Sequence, residues 1–210
     1  MALMALEVDH VFVCTAVGAP AAARLIAAGL TEGEPNTHPG QGTACRRFSF
    51  ENCMIELIWV ADAAEARGEV ARGLRLWERW CNAGRGASPF GVILRGGDGC
   101  PFHSWTFRPP TMPGLELEIA SGTGLDEPMW CYTKGYPRRR PPVHAAGVRE
   151  VTSVRLTGAA AEGSVTSAMA GVGVIRIEDG VGHAMEIEFD GGRRGGREDL
   201  RPELPMVIRF

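Results

Sequence analysis

Hydrophobic and polar residues alternate along four stretches of the first hundred residues, which are rich in valine, isoleucine and phenylalanine. A period of two and branched or aromatic side chains are typical of β-strands. Between the first and second stretch, Gly18, Ala19 and Pro20 begin a helix, because an early proline needs no N–H donor, and Gly29 ends it. The predicted strands are residues 6–15, 43–51, 53–60 and 89–95.

A helical period follows the third predicted strand. Apolar residues between 70 and 81 recur at the spacing of one helix face. Asp62, followed three residues later by Glu65, is typical of a capping box at the start of a helix. We therefore predict one helix over residues 62–82.

Residues 96–147 are dense in glycine and proline but also hold aromatic residues. Disordered linkers lack aromatic residues, so this segment is predicted to be an ordered covering loop, with one strand at 115–120. After residue 148 the opening order of strand, helix and three strands returns. The chain is therefore predicted to be α+β, with one module at 1–60, an insertion at 61–147 and a second, degenerate module at 148–210, all in one compact domain.

Composition narrows the classes of partner. A net charge of −3 and a pI near 6.0 give no field that attracts a polyanion, so no nucleic acid partner is expected. The longest uncharged apolar run, residues 11–23, is shorter than the roughly 20 residues that cross a membrane, so neither a membrane segment nor a signal peptide is predicted. Six scattered cysteines without a CxxC pair favour reduced thiols and a cytoplasmic location.

The basic residues exclude one kind of cofactor site. Lys134 is the only lysine among the 22 basic residues, so the chain has no Gly-Lys pair for a phosphate-binding loop. A dinucleotide-binding fingerprint is absent as well. No nucleotide cofactor is therefore expected.

Two titratable residues stand among apolar side chains on the faces of predicted strands. Alternation places Val8, His10 and Phe12 on one face of the first strand, while Glu56 lies among apolar residues. A carboxylate buried without a partner is costly, so a cation, a metal, a hydrogen-bond network or solvent in a cavity must compensate Glu56. If the two strands are neighbours, His10 and Glu56 meet across the sheet and become candidate catalytic residues.

Further candidates would contact a substrate. Alternate side chains of the second predicted strand are polar, so Arg47 is a candidate anchor for an anionic or carbonyl-bearing substrate. The alternative is an ordinary salt bridge to Glu51 or Glu32. His38 is a further candidate for substrate contact. Trp105 and Phe107 are candidate apolar contacts to a ligand, with packing in the core as the alternative.

Eight segments distributed along the chain carry a family resemblance. They are VDHVFV (8–13), NTHPGQGT (36–43), RRF (46–48), MIELIWV (54–60), LWERW (76–80), GASPFG (86–91), WTFRPP (105–110) and GVREVT (147–152). Together they resemble the glyoxalase-like branch of the vicinal oxygen chelate superfamily, which includes glyoxalases, bleomycin resistance proteins and extradiol dioxygenases. The superfamily supports many activities on one scaffold, so the resemblance indicates the fold more specifically than the function.

The resemblance implies paired βαβββ modules whose strands curve into a mixed-sheet cup. It also implies a divalent metal (Zn, Fe, Mn, Ni or Mg) held by side chains from the first and last strands of each module. His10 and Glu56 match these positions in the first module. The second module departs from the pattern, because Ser153 and either Met206 or Val207 stand at the corresponding places.

Two ligands do not complete a catalytic metal site, which usually has three protein ligands. His38 is the best placed third ligand along the chain, and His103, His144 and Glu186 are the alternatives. The residues leave metal binding open. The resemblance further implies a small-molecule substrate or ligand and pairing of two copies through the edges of the cup.

Two hypotheses follow. In the first, the chain is a small-molecule enzyme in which Glu56 acts as general base or metal ligand beside His10, with isomerase, lyase or dioxygenase chemistry at a carbonyl or vicinal-oxygen centre. In the second, the chain is a metal-free protein that binds or sequesters an apolar or aromatic ligand in the same cup. Metal content and turnover distinguish the two.

Overall fold

The computed structural model describes residues 5–134, 140–158, 164–169 and 172–210, in which two β-sheets pack on a shared core. The α-helices are α1 (Ala22–Ala27), α2 (Ala63–Arg67), α3 (Leu76–Cys81) and α4 (Ser164–Met169), and single 3-10 turns lie at Arg72–Leu74 and Asp190–Gly192. The strands are β1 (Leu6–Cys14), β2 (Asn36–His38), β3 (Thr43–Ser49), β4 (Met54–Val60), β5 (Phe90–Gly96), β6 (Ser104–Phe107), β7 (Leu117–Ala120), β8 (Met129–Thr133), β9 (Val151–Gly158), β10 (Ile175–Asp179), β11 (Ala184–Phe189), β12 (Arg197–Asp199) and β13 (Met206–Arg209).

The larger sheet has the order β2-β3-β4-β1-β5-β8-β7-β6 and consists of two halves with matching strand directions. The first half consists of β1 to β4. In this half β1 is parallel to β4, and β3 is antiparallel to β4. In the second half, β5 to β8, β5 is parallel to β8 and β7 is antiparallel to it. β1 and β5 join the halves as an antiparallel pair. The predicted α+β class and curved mixed sheet are confirmed.

The predicted position of the second module needs correction. The strands that complete the large sheet come from residues 90–133, which were predicted to belong to the 61–147 insertion, and not from 148–210. The second half has no helix between its first two strands, and turns rich in glycine and proline separate its short strands. The βαβββ pattern that marks the first half in the sequence is therefore absent from the second half.

Strands β9 to β13 instead form a second sheet with the order β10-β9-β11-β13-β12. β9 is parallel to β10, β9 is antiparallel to β11, and β11 is parallel to β13. These directions repeat those of the four central strands of the large sheet, β4-β1-β5-β8. The predicted order of strand, helix, strand and strand is found here, but in a separate sheet.

The second sheet covers the face of the large sheet that points away from the concave side. Alternate residues of β1, β4, β5 and β8 contribute to one apolar core together with residues of β9, β10, β11 and β13. Phe50 at the end of β3 contacts Phe189 of β11, with ring centroids 4.6 Å apart. Burial of this face leaves the opposite, concave face to form a site.

The helix predicted over 62–82 is three short pieces. Asp62 caps α2, since its side chain accepts hydrogen bonds from the N–H groups of Ala64 and Glu65. Glu65 does not close a capping box; it accepts a hydrogen bond from the Gly40 N–H at 2.7 Å. The helical path then breaks, and Arg75 adopts a left-handed conformation with φ 54°. The bent segment turns Leu74 and Leu76 toward the concave face of the sheet.

Candidate active site

The concave face of the large sheet bounds a cavity of about 430 Å³. This volume lies within the range of small-molecule sites, roughly 300–1,000 Å³. Strands of both halves form its wall, while the segment with Leu74 and Leu76 and the loop at 109–112 cover it. Parts of the predicted insertion therefore line the cavity.

A β-bulge in β1 brings two adjacent polar residues to the cavity. Val8 pairs with Leu94 and His10 pairs with Ile93, so Asp9 is an extra residue on β1. A bulge rotates the side chains that precede it, and both Asp9 and His10 consequently line the cavity while Val8 packs in the core. The prediction that Val8 shares a face with His10 is thus wrong, and strict alternation could not have found Asp9.

A chain of polar contacts runs from Arg95 to Glu56. One guanidinium nitrogen of Arg95 lies 3.1 Å from Asp9 Oδ2, and Asp9 Oδ1 lies 2.8 Å from His10 Nδ1. His10 Nε2 lies 4.0 Å from Glu56 Oε2. The predicted meeting of His10 and Glu56 is found in the structure, and Asp9 and Arg95 extend it.

The charge of Asp9 is fixed by its neighbours. Burial by itself would raise the pKa of Asp9, but the hydrogen bonds and charges of His10 and Arg95 outweigh burial and lower it. Asp9 is therefore a carboxylate at neutral pH. An ionised partner at Nδ1 holds the His10 ring in one orientation, as carboxylates behind histidine ligands do in metal sites.

Glu56 has a second neighbour in Cys45 of β3. The Cys45 thiol donates to Glu56 Oε1 at 3.7 Å, and both residues are buried. Burial and the nearby charge of Glu56 raise the pKa of Cys45. The thiol is therefore protonated in the absence of a cation, and it is no nucleophile in this state.

His38 lies on the edge strand β2, beside these two residues. Its Nδ1 is 2.9 Å from Thr43 Oγ1, and its Nε2 is 3.0 Å from the Asn36 side-chain amide. Burial lowers the pKa of His38, and Arg47 and His10 lower it further against the opposing effect of Glu56. The ring is therefore neutral at neutral pH, which is the form that binds metals.

The donors around Glu56 fit a divalent metal ion. One ligand atom each from His38, Cys45 and Glu56 lie within 4.8 Å of one another. Nitrogen, sulfur and oxygen together suit ions of intermediate softness, such as zinc, better than magnesium or calcium. The predicted third ligand, His38, thus lies beside Glu56, and Cys45 is a donor that the sequence interpretation missed, although it lies on the polar face predicted for its strand.

The predicted substrate contacts are only partly brought together. Arg47 lines the cavity, but its guanidinium donates to the Glu34 carbonyl oxygen at 3.0 and 2.9 Å. Phe107 is buried and lines the cavity. Trp105 does not line it; its ring packs close to the backbone of Gly73.

The other predicted alternatives for a third ligand lie elsewhere. His144 bridges the Thr31 N–H and the Ser49 carbonyl oxygen, Glu186 contacts Arg155 and Arg209, and His103 lies outside the cavity wall. Glu32 pairs with Arg46 rather than with Arg47. None of these three candidate ligands, all of them in the described part of the chain, meets Glu56 at the cavity.

The second half of the sheet gives the cavity an apolar wall. Gly91 of β5 leaves room for the Phe12 ring, since a Cβ at Gly91 would lie 2.0 Å from that ring. Arg95, at the end of β5, is the one charged residue that the described strands of this half place on the wall. The remaining wall residues of its strands are Ile93, Phe107, Leu117, Ile119, Met129 and Cys131.

Comparison with known proteins agrees with this architecture. The model of the glyoxalase-like domain matches residues 8–116, which is more than half of the chain. The chain belongs to the glyoxalase-like domain family. The predicted resemblance to this branch of the vicinal oxygen chelate superfamily is therefore confirmed.

A solved structure extends the likeness beyond the matched region. The crystal structure of a hypothetical protein from Staphylococcus aureus superposes with a TM-score of 0.58 over 98% of each chain, at 11% sequence identity. At this low identity the likeness shows a shared fold and carries no information on activity. No curated protein matches the chain significantly. Among the described residues, no helix has the length and apolar character needed to cross a membrane.

Proposed function

We propose that this glyoxalase-like protein is a small-molecule enzyme that acts at a carbonyl or vicinal-oxygen centre, with a divalent metal at Glu56. The observation that carries the proposal is the contact of His10 with Glu56 in a cavity whose opposite wall is apolar. Buried ionisable groups in a cavity of this size are typical of active sites. An apolar wall favours a substrate with an aryl or alkyl body.

The side chains have distinct roles in this proposal. Asp9 accepts the Nδ1–H of His10, which leaves Nε2 as the acceptor that points to the cavity. Glu56 acts as general base and takes a proton from the carbon next to the substrate carbonyl, after which it returns the proton to a neighbouring atom. Phe107 and the apolar residues around it hold the substrate body and exclude water from the carboxylate.

A metal at this place would be held by one carboxylate oxygen of Glu56, which leaves the other oxygen as the base, with His10 and His38 as the further ligands predicted from the sequence. When bound, the ion supplies Lewis acidity that polarises the carbonyl oxygen and makes the adjacent proton more acidic. The carboxylate and imidazole donors described above are suitable for this purpose.

The test uses 2-hydroxyacetophenone, whose phenyl group fits the apolar wall and whose vicinal oxygens match the polar side. Exchange of its CH₂ protons in D₂O is followed by NMR, and the metal content of the same sample is measured by mass spectrometry. We expect catalysed exchange that Glu56→Gln slows by roughly 10²- to 10⁴-fold, because the general base is lost. His10→Ala should lower the metal content.

Glu118→Gln is the matched control, since Glu118 is a partly buried carboxylate of β7 that accepts from Ser104 and Thr106 away from the cavity. It should leave both exchange and metal content unchanged. Equal exchange rates for the Glu56→Gln variant and the wild type would refute the role of Glu56. A protein that binds no metal and accelerates no exchange would refute the enzymatic proposal as a whole.

The apolar wall favours a second candidate function, a metal-free protein that sequesters an apolar ligand. In that case purified protein would contain negligible metal, and Glu56→Gln would not weaken the binding of aromatic compounds. A co-purifying aromatic ligand, identified by native mass spectrometry, would support this alternative. Stoichiometric metal with turnover would exclude it.

A further inference from the structure

Four potential metal ligands form a diagonal row across the first half of the large sheet. β2, β3, β4 and β1 lie side by side in this order. Each donor has a paired residue on the next strand, and the next donor lies two residues away from that paired residue. All three displacements run in the same direction across the sheet. A step of two keeps side chains on one face of a sheet. The row consists of His38, Cys45, Glu56 and His10.

The distances within the row approach those of a shared ion. Cys45 Sγ and Glu56 Oε1 are 3.7 Å apart, and Glu56 Oε2 and His10 Nε2 are 4.0 Å apart. Ligand atoms that share a tetrahedral ion at bond lengths of about 2.0–2.3 Å lie roughly 3.5 Å from one another. The cluster of His38, Cys45 and Glu56 lies within 4.8 Å, so small side-chain rotations would close it.

All four potential ligands of the row come from the first half of the sheet. The described strands of the second half place residues such as Ile93 and Cys131 on the wall, but they place no histidine or carboxylate there. The additional donors near Glu56 come instead from β2 and β3. Of these, His38 must exchange one of its present hydrogen bonds, to Thr43 or Asn36, for the ion. Cys45 has the Glu56 carboxylate as its hydrogen-bond acceptor and needs only to lose its proton.

We propose that Cys45 binds the divalent ion as a thiolate, so that the site takes a thiophilic ion such as Zn²⁺ or Co²⁺ in preference to Mg²⁺ or Mn²⁺. The proposal rests on the metal site proposed above and specifies its chemistry. A sulfur–metal bond forms as the thiol proton leaves to the solvent, so one proton is released and no electron is transferred. Soft thiolate ligands favour zinc and cobalt over hard ions.

Cobalt provides a direct test, because a thiolate bound to Co²⁺ produces a charge-transfer band in the near ultraviolet. The full chain is stripped of metal with a chelator, dialysed and titrated with CoCl₂, with absorbance recorded at each step. Cys131→Ser is the matched control, since Cys131 is a buried cysteine of the same cavity wall on the opposite half. Competition with ZnCl₂ and MnCl₂ then gives the relative affinities.

We expect the band in the wild type and in Cys131→Ser, and its loss in Cys45→Ser. Zn²⁺ affinity should fall in Cys45→Ser by at least the roughly 10- to 100-fold that outer-shell substitutions cost, with a smaller effect on Mn²⁺. Circular dichroism of each variant verifies folding.

Each other outcome contradicts a defined part of the argument. Co²⁺ binding without the band in the wild type overturns ligation by Cys45 but leaves a metal site of nitrogen and oxygen donors. A band that survives in Cys45→Ser and disappears in Cys131→Ser assigns the thiolate to the second half and also overturns the proposal. Absence of Co²⁺ and Zn²⁺ binding contradicts both this inference and the metal in the proposed function.

Discussion

The two halves of the large sheet share strand directions but differ in the side chains that they present to the cavity. The first half places Asp9, His10, Glu56 and Arg47 on the wall, whereas the second half places mainly aliphatic, aromatic and sulfur-containing residues there. Two halves with the same strand directions can thus present different side-chain chemistry to one cavity. In the proposed function, the reacting end of the ligand lies at the first half and its apolar body at the second.

The largest effect is expected from placing a charge on the apolar wall. Ile119 of β7 is 5% exposed and lines the cavity. Ile119→Glu buries a carboxylate among apolar side chains, so we expect the free energy of unfolding in urea to fall by roughly 3–5 kcal/mol. Ile119→Leu, the control, should cost less than about 1.5 kcal/mol. If the charged variant were as stable as the control, the wall would be wet and the comparison between the halves would fail.

Arg95 provides a second test, because it is the charged exception in the second half. Its side chain is 11% exposed and contacts Asp9 and Glu7. Arg95→Ala removes a charged hydrogen-bond donor from the buried Asp9 carboxylate, and we expect a loss of about 2 kcal/mol in the free energy of unfolding.

Arg108→Ala is the control for this variant, since the Arg108 side chain is 70% exposed and pairs with Glu116 at the surface. Its cost should stay within about 0.5 kcal/mol. Similar losses in both variants would mean that the chain of contacts from Arg95 to Glu56 contributes no more than an ordinary surface ion pair.

Ligand binding tests whether the second half binds the apolar body of the ligand and the first half its reacting end. Phe107→Ala removes an aromatic contact of the second half, so we expect it to weaken both acetophenone and 2-hydroxyacetophenone by about tenfold in isothermal titration calorimetry. Glu56→Gln should weaken only the compound that carries vicinal oxygens. Equal effects of Glu56→Gln on both compounds would show that the halves do not divide the ligand as inferred.

The smallest effect concerns the attachment of the first half to the loop at 140–148. His144 accepts the Thr31 N–H at 2.9 Å and lies 3.0 Å from the Ser49 carbonyl oxygen. Burial lowers the pKa of His144 below its usual 6.5, despite the opposing hydrogen bond to Ser49. Folding therefore favours the neutral ring. The contribution of His144 to the free energy of unfolding is complete above pH 6.5 and decreases as the pH falls toward the lower pKa of the folded state.

We expect the stability difference between the wild type and His144→Gln to be larger at pH 7.5 than at pH 5.5. Urea denaturation at the two pH values measures it, and the subtraction cancels the titration of the other histidines. A difference that stays constant, or that grows at pH 5.5, would contradict the assigned direction of the pKa.

The sequence was sufficient to predict three of the four strands in the first half of the sheet. The strands predicted at 6–15, 43–51 and 53–60 correspond to β1, β3 and β4 within two residues, because their apolar runs are long and bounded by turns. The second half was harder to recognise. β6 and β8 are four or five residues long and lie among glycine and proline residues, so their period is too short to stand out against the turns.

The site was predicted in part for the same reason. His10 and Glu56 stood out because they interrupt apolar faces of their predicted strands, and His38 because it lies between them in the chain. Asp9 was missed because only a change of register brings it to the cavity. Cys45 was missed because a buried cysteine usually serves in packing, and only the neighbouring Glu56 identifies it as a potential ligand.

The bulge in β1 bears on how such a site could arise. Val8 and His10 have partners on β5 that are consecutive, Leu94 and Ile93, so removal of Asp9 would leave a regular antiparallel ladder with every other pair unchanged. The carboxylate that orients His10 therefore behaves as an insertion. A single codon gained or lost would add or remove it without altering the packing of the rest of the strand, whereas point substitutions at the paired positions would not achieve this.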